Sequence, residues 1–351
     1  MRACLEAWIH RQWAKCGLFA WLLSPLSLIF LLITRIRKKR ITPVKVPVPV
    51  VVVGNIYVGG TGKTPITIAL ARKLTEAGLH PGIISRGYAS SGQQTRLVSD
   101  TSSESGESNQ AKTSRADIVG DEPLLIFQAT QCPVAVNRDR VDAAQTLLKT
   151  HPEVDVILSD DGLQHLRLAR DVELAVVGAR GLGNGWVLPA GPLREPPSRL
   201  DSVDAIVLNA THETLTTRTP RFVATSQLGR VIQLATGQVD SINHLSECIA
   251  KNHWRTEAAA GIALPDRFFC MLHAHDIACR GIRLPDHFDF SDNPFSAVDA
   301  DIIFITGKDA VKCHQIPQIA RDTRIWVADL EMVLDQFLVD RILEKIQTHG
   351  Q

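Results

Sequence analysis

Short apolar runs rich in valine and isoleucine alternate along this chain with amphipathic segments of helical period. The runs predict buried strands, and the segments between several of them predict helices, as at residues 66–77 and 139–150. Alternation of this kind favours an α/β fold with a parallel sheet flanked by helices. The predicted strands cover residues 48–53, 82–85, 134–136, 154–159, 174–177, 205–208, 302–306 and 325–327.

A glycine-rich stretch after the first predicted strand carries the strongest chemical signal. A strand, a turn ending in Gly-Lys-Thr and a helix are the context of a P-loop, in which backbone N–H groups hold phosphate oxygens. Lys63 is expected to reach the β- and γ-phosphates, and the Thr64 hydroxyl is expected to ligate Mg²⁺. The predicted nucleotide-binding residues are Tyr57, Val58, Gly59, Gly60, Thr61, Gly62, Lys63 and Thr64. Tyr57 departs from the usual pattern, which has glycine at that position.

The N-terminal segment is predicted to be a membrane anchor. Residues 17–34 carry no charge, and as a helix they would extend roughly 27 Å, slightly less than the ~30 Å hydrocarbon core. The basic cluster at residues 35–40 is expected to stay on the cytoplasmic side and to attract anionic head groups. The helix either spans the bilayer or lies in its interface. A buried core helix is the alternative, whereas a signal peptide lacks its cleavage site here.

Composition bounds the remaining possibilities. The 351 residues leave room for two domains, and the net charge of +1 gives no global field that would attract nucleic acid. The seven cysteines form no CxxC pair, which fits a reducing compartment and argues against a zinc site or a disulfide framework. No obligate protein partner is evident. We therefore place the active site on the cytoplasmic face of a membrane.

We predict three parts along the chain. Residues 1–40 are the anchor and its basic flank, residues 41–200 the P-loop core, and residues 201–351 a second, smaller α/β domain whose C-terminal helix packs back on the first. Residues 99–115 are predicted to be a surface loop because they are almost entirely polar. A proline-rich turn at 191–197 either lines the site or only connects elements.

Two adjacent carboxylates follow the predicted strand 154–159. In P-loop folds a carboxylate at the end of a neighbouring strand faces the phosphate loop and holds Mg²⁺. The alternative for Asp160 and Asp161 is a plain Asp-Gly turn, but their pairing in a chain with a P-loop favours the metal role. Gln164 and His165 follow closely, and they either orient phosphates or substrate or serve as supporting structural groups.

Two further acidic positions have an ordinary structural explanation. Asp121 and Glu122 begin a predicted helix, where capping and the helix dipole account for them. On residue types alone a catalytic role there is the less favoured interpretation. His287 lies beside Asp286 between apolar residues, so it is either a satisfied core histidine or a partner for a carboxylate base.

In chain order these blocks resemble the tetraacyldisaccharide 4'-kinase family, the lipid A 4'-kinases of Gram-negative bacteria. The matching stretches lie at residues 47–55, 58–65, 85–88, 120–123, 160–165, 183–186, 188–192, 267–269, 286–287 and 308–312. In this family the first P-loop glycine is commonly replaced, which accounts for Tyr57. Two features depart from the family: Gly307 stands where a glutamate is usual, and the polar loop before Gly120 is longer.

The resemblance implies ATP-dependent phosphorylation of the 4'-hydroxyl of a tetraacylated glucosamine disaccharide 1-phosphate at the inner membrane. It makes Asp121 the general base on the sugar hydroxyl and gives His287 a supporting role, which overturns the structural interpretation of Asp121. The lipid substrate cannot leave the bilayer easily, at ~0.8 kcal/mol per buried CH₂, so an anchored enzyme is expected.

Further roles are carried over by position. The resemblance assigns the organisation of Mg²⁺ to Thr64, Glu122, Asp160 and Asp161. Lys63 and the backbone N–H groups would neutralise charge during phosphoryl transfer. Arg86 and Arg140 are candidates for contact with phosphate or substrate.

Two other classes of protein are alternatives. A membrane-tethered GTPase or transport ATPase would hydrolyse nucleotide without a lipid acceptor, but the Thr306-Gly-Lys-Asp309 block has the wrong spacing for guanine recognition. A nucleotide-binding scaffold without chemistry would not need the two adjacent carboxylates. An Asp121→Asn variant that binds ATP but is inactive would exclude the scaffold.

Overall fold

The structure is a computed structural model that describes residues 9, 11–87, 94–98, 119–211, 215–262, 264–286 and 288–348. The predicted surface loop at 99–115 and the predicted site residue His287 lie outside the described residues. The helices are α1 (Leu18–Arg40), α2 (Lys63–Glu76), α3 (Asp121–Thr130), α4 (Arg140–Thr150), α5 (Ile242–Asn252), α6 (Pro265–His273), α7 (Gly307–Cys313), α8 (Pro317–Ala320) and α9 (Gln336–Thr348).

The strands are β1 (Val50–Gly54), β2 (Pro81–Ser85), β3 (Arg96–Val98), β4 (Val134–Val136), β5 (Val156–Asp160), β6 (Val172–Val177), β7 (Ala205–Asn209), β8 (Arg221–Gln233), β9 (Val239–Ser241), β10 (Thr256–Ala260), β11 (Arg280–Arg283), β12 (Ile302–Thr306) and β13 (Ile325–Leu334). They form one sheet in the order β11-β10-β12-β13-β8-β7-β6-β1-β5-β2-β4-β3, with β9 paired to β8. The fold class predicted from the sequence is confirmed.

The sheet consists of two parallel blocks. The first block contains β4, β2, β5, β1, β6, β7 and β8, and the second contains β11, β10, β12 and β13. The long strands β8 and β13 join the blocks through an antiparallel ladder that extends from Trp326↔Gln233 to Leu334↔Ala224. Because the ladder makes the sheet continuous, the domain boundary near residue 200 stays a prediction.

Helices cover both faces of the first block. Buried residues of α2, α3 and α9 form one apolar cluster with β1, β5 and β6. The cluster on the opposite face combines α4 with Leu163, Leu193 and Leu200. The C-terminal helix α9 therefore returns to the first block, as the sequence predicts, and contacts α2 and β6.

The helix α1 exposes most of its apolar surface. It is the one described helix that is long and apolar enough to cross a membrane, and 11% of its apolar window is buried. The alternative of a buried core helix is therefore wrong. Its exposed apolar side chains are Leu18, Trp21, Leu22, Leu26, Leu28, Ile29, Leu32, Ile33 and Ile36.

A narrow polar contact holds α1 against the rest of the chain. The Ser27 hydroxyl is 1% exposed, donates to the Val187 carbonyl at 2.9 Å and accepts from the Ala190 amide at 3.0 Å. Trp21 packs edge-on against Trp186, with ring centroids 5.5 Å apart. The buried side of α1 thus depends on a hydroxyl that bridges two backbone groups.

We predict that Ser27→Ala loosens α1 from the 186–190 segment. The change leaves the buried Ala190 N–H without its partner, a cost of about 1–3 kcal/mol, so amide exchange in that segment should accelerate. Ser24→Ala is the matched control, since the Ser24 hydroxyl bonds only within α1, to Trp21. Equal exchange rates in the two variants would show that Ser27 does not hold the helix.

Candidate active site

The phosphate loop joins β1 to α2 at the carboxyl end of the sheet. Gly59 and Gly62 have φ angles of 111° and 82°, in the left-handed region that favours glycine. A Cβ atom on Gly62 would also collide with the Asn209 amide at the end of β7. Lys63 begins α2, so the amides of the first helical turn face the loop. The turn therefore has the backbone shape of an anion cradle.

Tyr57 occupies the place of the first P-loop glycine as a core residue. Its ring is buried in the apolar cluster below the loop, and burial raises the pKa of its phenol. Its backbone forms an antiparallel bridge with Leu193, and the next amide, of Val58, donates to the Pro192 carbonyl at 2.9 Å. The proline-rich turn thus contacts the phosphate loop through its backbone. It therefore does more than connect two elements.

Lys63 lies between an amide and a carboxylate. Its Nζ atom is 3.3 Å from Asn55 Oδ1 and 3.4 Å from Asp161 Oδ1. Asn55 also donates through Nδ2 to the Tyr57 carbonyl at 2.8 Å. Asn55 therefore links the loop backbone to the ammonium group.

Asp160 is buried at the end of β5, 1% exposed. Its Oδ1 accepts from the Thr67 hydroxyl at 3.0 Å, and its Oδ2 lies 3.5 Å from Thr64 Oγ1. Burial, and then the charge of Glu122, raise the pKa of Asp160 to about 7, although Lys63 acts in the opposite direction. Glu122, an exposed residue at the start of α3, is therefore close enough to interact with this carboxylate.

The pKa of Asp161 is shifted in the opposite direction to that of Asp160. It adopts a left-handed φ of 50°, and Arg194 Nη1 lies 3.3 Å from its carboxylate. Burial raises the pKa of Asp161, but Lys63 and Arg194 outweigh burial and hold the pKa below its ordinary value. This carboxylate is therefore ionised near neutral pH.

The carboxylates of this site suit Mg²⁺ better than a metal ion that protein side chains alone must hold. Among the described residues, no three His, Cys, Asp or Glu side chains are grouped closely enough to hold an ion by themselves. Magnesium is usually held by one or two carboxylates together with phosphates and water. The charge of Glu122 adds to the effect of burial in raising the pKa of Asp160, and a cation would offset that repulsion. Thr64, Glu122, Asp160 and Asp161 thus offer the hard oxygen donors that Mg²⁺ prefers.

Gln164 braces the turn after β5. Its Nε2 donates to the Asn55 carbonyl and to Glu195, both at 2.9 Å, and its Oε1 accepts from Arg194 at 3.2 Å. These bonds connect the Asp161 turn with the phosphate loop and the proline-rich turn.

The buried Arg140 and the half-buried His165 support the end of β5. Arg140 Nη2 donates to the Asp160 carbonyl at 2.9 Å, and Nη1 donates to the Asn137 carbonyl at 3.1 Å. Burial lowers the pKa of Arg140 to about 10, and burial together with Arg140 lowers the pKa of His165. His165 Nε2 contacts the Arg138 carbonyl at 2.9 Å. Arg86, in contrast, is exposed, and its charge acts on Arg140.

Asp121 forms an ion pair with a lysine from the second half of the chain. Lys312 of α7 lies 3.0 Å from Asp121 Oδ2, and its Nζ also donates to the Phe288 carbonyl at 3.0 Å. The same block contributes Lys308, whose Nζ lies 3.1 Å from Asp286. The α7 region therefore meets the start of α3 at the site.

Several residues of the site had no role assigned from the sequence. Asn55 supports the phosphate loop, and Lys312 pairs with Asp121. Asn209 also supports the loop, and Arg194 pairs with Asp161. The first two lie in stretches that resemble the family, and Arg194 lies in the proline-rich turn, so a signal existed for these three. Asn209 ends a strand and carries no motif.

Comparison with known proteins identifies the family. The family model described as tetraacyldisaccharide-1-P 4'-kinase matches residues 19–347. The chain belongs to this family. A tetraacyldisaccharide 4'-kinase of Herminiimonas arsenicoxydans is 47% identical over 364 residues, covering 99% of this chain and 98% of its own length. A tetraacyldisaccharide 4'-kinase of Janthinobacterium sp. is 44% identical over 353 residues, covering 99% of this chain and 97% of its own length.

A solved structure supports the same assignment. The crystal structure described as the apo form of LpxK from Aquifex aeolicus in complex with ATP has a TM-score of 0.75 and 25% identity. The match covers 93% of this chain and 99% of that one. The resemblance inferred from the sequence blocks is confirmed, and with it the enzyme class, a lipid kinase that transfers phosphate to a hydroxyl group.

We predict opposite pH effects from the two adjacent carboxylates in nucleotide-free, metal-free protein. Because the folded state raises the pKa of Asp160 from 3.8 to about 7, ionisation of Asp160 costs stability as pH rises through that range. At about pH 8 the free energy of unfolding of Asp160→Asn should therefore exceed that of the wild type by roughly 1–4 kcal/mol. The difference should shrink towards about pH 4.

Asp161→Asn is the matched control and should show the reverse sign. The pKa of Asp161 is lowered, so its ionised form stabilises the fold above its unfolded pKa, and that contribution is lost as pH falls. Denaturant unfolding followed across this pH range measures both effects. Two variants that lose stability equally at every pH would contradict the assigned pKa directions.

Proposed function

We propose that this chain transfers the γ-phosphate of ATP to the 4'-hydroxyl of a tetraacylated glucosamine disaccharide 1-phosphate, forming the bisphosphorylated lipid A precursor. One observation carries the proposal. Glu122, the neighbour of Asp121, is close enough to the phosphate-loop carboxylate Asp160 to raise its pKa. The start of α3 and the phosphate loop therefore share one site, as a kinase with a carboxylate base requires.

The nucleotide is proposed to bind along residues 57–64. The amides of this turn and of the first turn of α2 provide donors for the phosphate oxygens. Lys63, whose Nζ lies between Asn55 and Asp161 beside the loop, is proposed to reach the β- and γ-phosphates. The Aquifex relative, whose structure is described as a complex with ATP, supports ATP as the nucleotide.

Asp121 is proposed to accept the proton of the sugar hydroxyl. Lys312 holds its carboxylate from the side of α7, which fixes its orientation. His287 is proposed to support Asp121 from the segment that follows Asp286. Lys63, which neutralises charge on the transferred group, completes the proposed catalytic set.

Mg²⁺ is proposed to bind at Thr64, Glu122, Asp160 and Asp161. When bound, the ion would neutralise charge on the phosphates and hold them in line with the acceptor. The protein contributes the oxygen donors, and among them the charge of Glu122 acts on Asp160.

The remaining predicted substrate residues fall into two groups. Arg86 is exposed, and its charge acts on Arg140, so contact with substrate phosphate stays the proposal for it. Arg140, Gln164 and His165 are proposed to position the turn that carries Asp160 and Asp161, because each of them contacts a backbone carbonyl around that turn.

Helix α1 is proposed to anchor the enzyme on the cytoplasmic side of the inner membrane. Its apolar side chains are exposed, and Arg37, Lys38, Lys39 and Arg40 close its last turn, where they suit anionic head groups. Residues 41–200 are proposed as the kinase core and residues 201–351 as the domain that contributes Lys312 and His287.

We predict that the purified protein transfers radiolabel from the γ-position of ATP into the lipid disaccharide and that Asp121→Asn abolishes most of this transfer. Loss of a general base costs ~10²–10⁴-fold in kcat, whereas ATP affinity should change little. Asp142→Asn is the matched control, because Asp142 is also a first-turn carboxylate but belongs to α4 and is exposed. Label released as inorganic phosphate without lipid acceptor would support the ATPase or GTPase alternative instead.

We predict that replacing Leu22, Ile29 and Ile33 by glutamine reduces activity on acceptor held in vesicles. These side chains are exposed on α1, so the change removes apolar surface without touching the Ser27 contact. Activity on a water-soluble short-chain acceptor should remain at the wild-type level. Equal loss on both acceptors would mean that α1 serves folding and not membrane attachment.

A further inference from the structure

A chain of side-chain hydrogen bonds connects α6 to the phosphate loop. Asn209 Nδ2 donates to the Thr61 carbonyl at 2.9 Å, and Asn209 Oδ1 accepts from Arg267 Nη2 at 3.2 Å. Asn209 is 3% exposed, so water cannot replace either bond easily. Arg267 belongs to one of the blocks that resemble the family, yet the proposed chemistry gives it no role.

Arg267 is itself anchored in the sheet. Its Nη2 donates to Ser226 Oγ at 2.7 Å, and Ser226 lies on β8 opposite Met332 of β13. Burial lowers the pKa of Arg267, and no carboxylate pairs with it among the described residues. The guanidinium therefore sits where the ladder between the two parallel blocks meets the end of β7, and it donates to neutral oxygens there.

The geometry points to Arg267 as a positioning residue that fixes the phosphate loop through Asn209. In a trans peptide the carbonyl and the next N–H point in opposite directions. Holding the Thr61 carbonyl towards Asn209 turns the Gly62 N–H away from Asn209, to the side where the loop would enclose phosphate oxygens. Arg267 sets the amide of Asn209 because its bond to Oδ1 leaves Nδ2 directed at Thr61.

This role rests on the proposed function, because it concerns the same nucleotide site. It adds a specific consequence: the second half of the chain sets the affinity for ATP without touching the nucleotide. Gly62 is part of the arrangement, since only a residue without Cβ leaves space for Asn209 beside the loop.

The test is a double-mutant cycle on the full-length enzyme with a fluorescent ATP analogue as the probe. Arg267→Ala and Asn209→Ala should each weaken binding of the analogue by about 5-fold or more, because each leaves a buried polar group unpaired. The double variant should bind no more weakly than the weaker single variant, since both changes break one chain of bonds. The KM for ATP should rise more than the KM for the lipid acceptor.

A control variant separates this role from support of the sheet. Arg230→Ala removes an exposed ion pair with Glu331 on the same strand as Ser226 and should change binding less than about 2-fold. Affinity unchanged in Arg267→Ala, additive losses in the double variant, or an Arg230→Ala effect as large as that of Arg267→Ala would overturn the inference. Failure of the wild type to phosphorylate lipid would instead overturn the proposed function.

Discussion

A carboxylate buried beside the phosphate loop is the constraint on which the rest of this site depends. Asp160 ends a central strand with almost no exposure, so its charge must be balanced by neighbouring groups. Thr67 and Thr64 from α2 approach its oxygens, Lys63 lowers its pKa, and Arg140 holds its backbone carbonyl from behind. Burial and the charge of Glu122 nevertheless raise the pKa of Asp160 to about 7. A cation beside this carboxylate would therefore favour its ionised form.

The second half of the chain reaches this site through the continuous sheet. The β8–β13 ladder places α6 and α7 beside the carboxyl end of the first block, where Lys312 meets Asp121 and Arg267 meets Asn209. The phosphate loop alone predicts nucleotide binding. The groups that would select and activate a lipid hydroxyl come from α3 and α7, so catalysis is expected to require both halves.

The sequence predicted the parts whose chemistry is local. The strands ending at Gly54 and Asp160 begin with runs of valine, isoleucine or leucine and are buried throughout, and the phosphate loop lies within a few residues of its strand and helix. Strand β8 escaped prediction because its buried residues lie at 224, 228 and 231, a spacing of four and three that is typical of a helix. Strand β10 escaped because alanine, its main residue, favours helix.

Contacts between distant residues could not be predicted in the same way. Arg267 is 58 positions from Asn209, and Lys312 meets Asp121 only because α7 packs against α3. Such pairs follow from the topology of the sheet and not from any local pattern. Burial also could not be predicted, as Arg140 shows. An arginine at this position suits a phosphate contact, whereas in the fold its guanidinium donates to two backbone carbonyls.

The site of phosphorylation on the product tests the central claim most directly. Proton–phosphorus correlation NMR of the purified lipid product identifies the sugar carbon that carries the new phosphate. The account predicts a new phosphomonoester correlated with the proton at position 4' of the distal glucosamine, with the existing 1-phosphate unchanged. A new phosphate on any other hydroxyl, or a diphosphate built on the 1-phosphate, would contradict it.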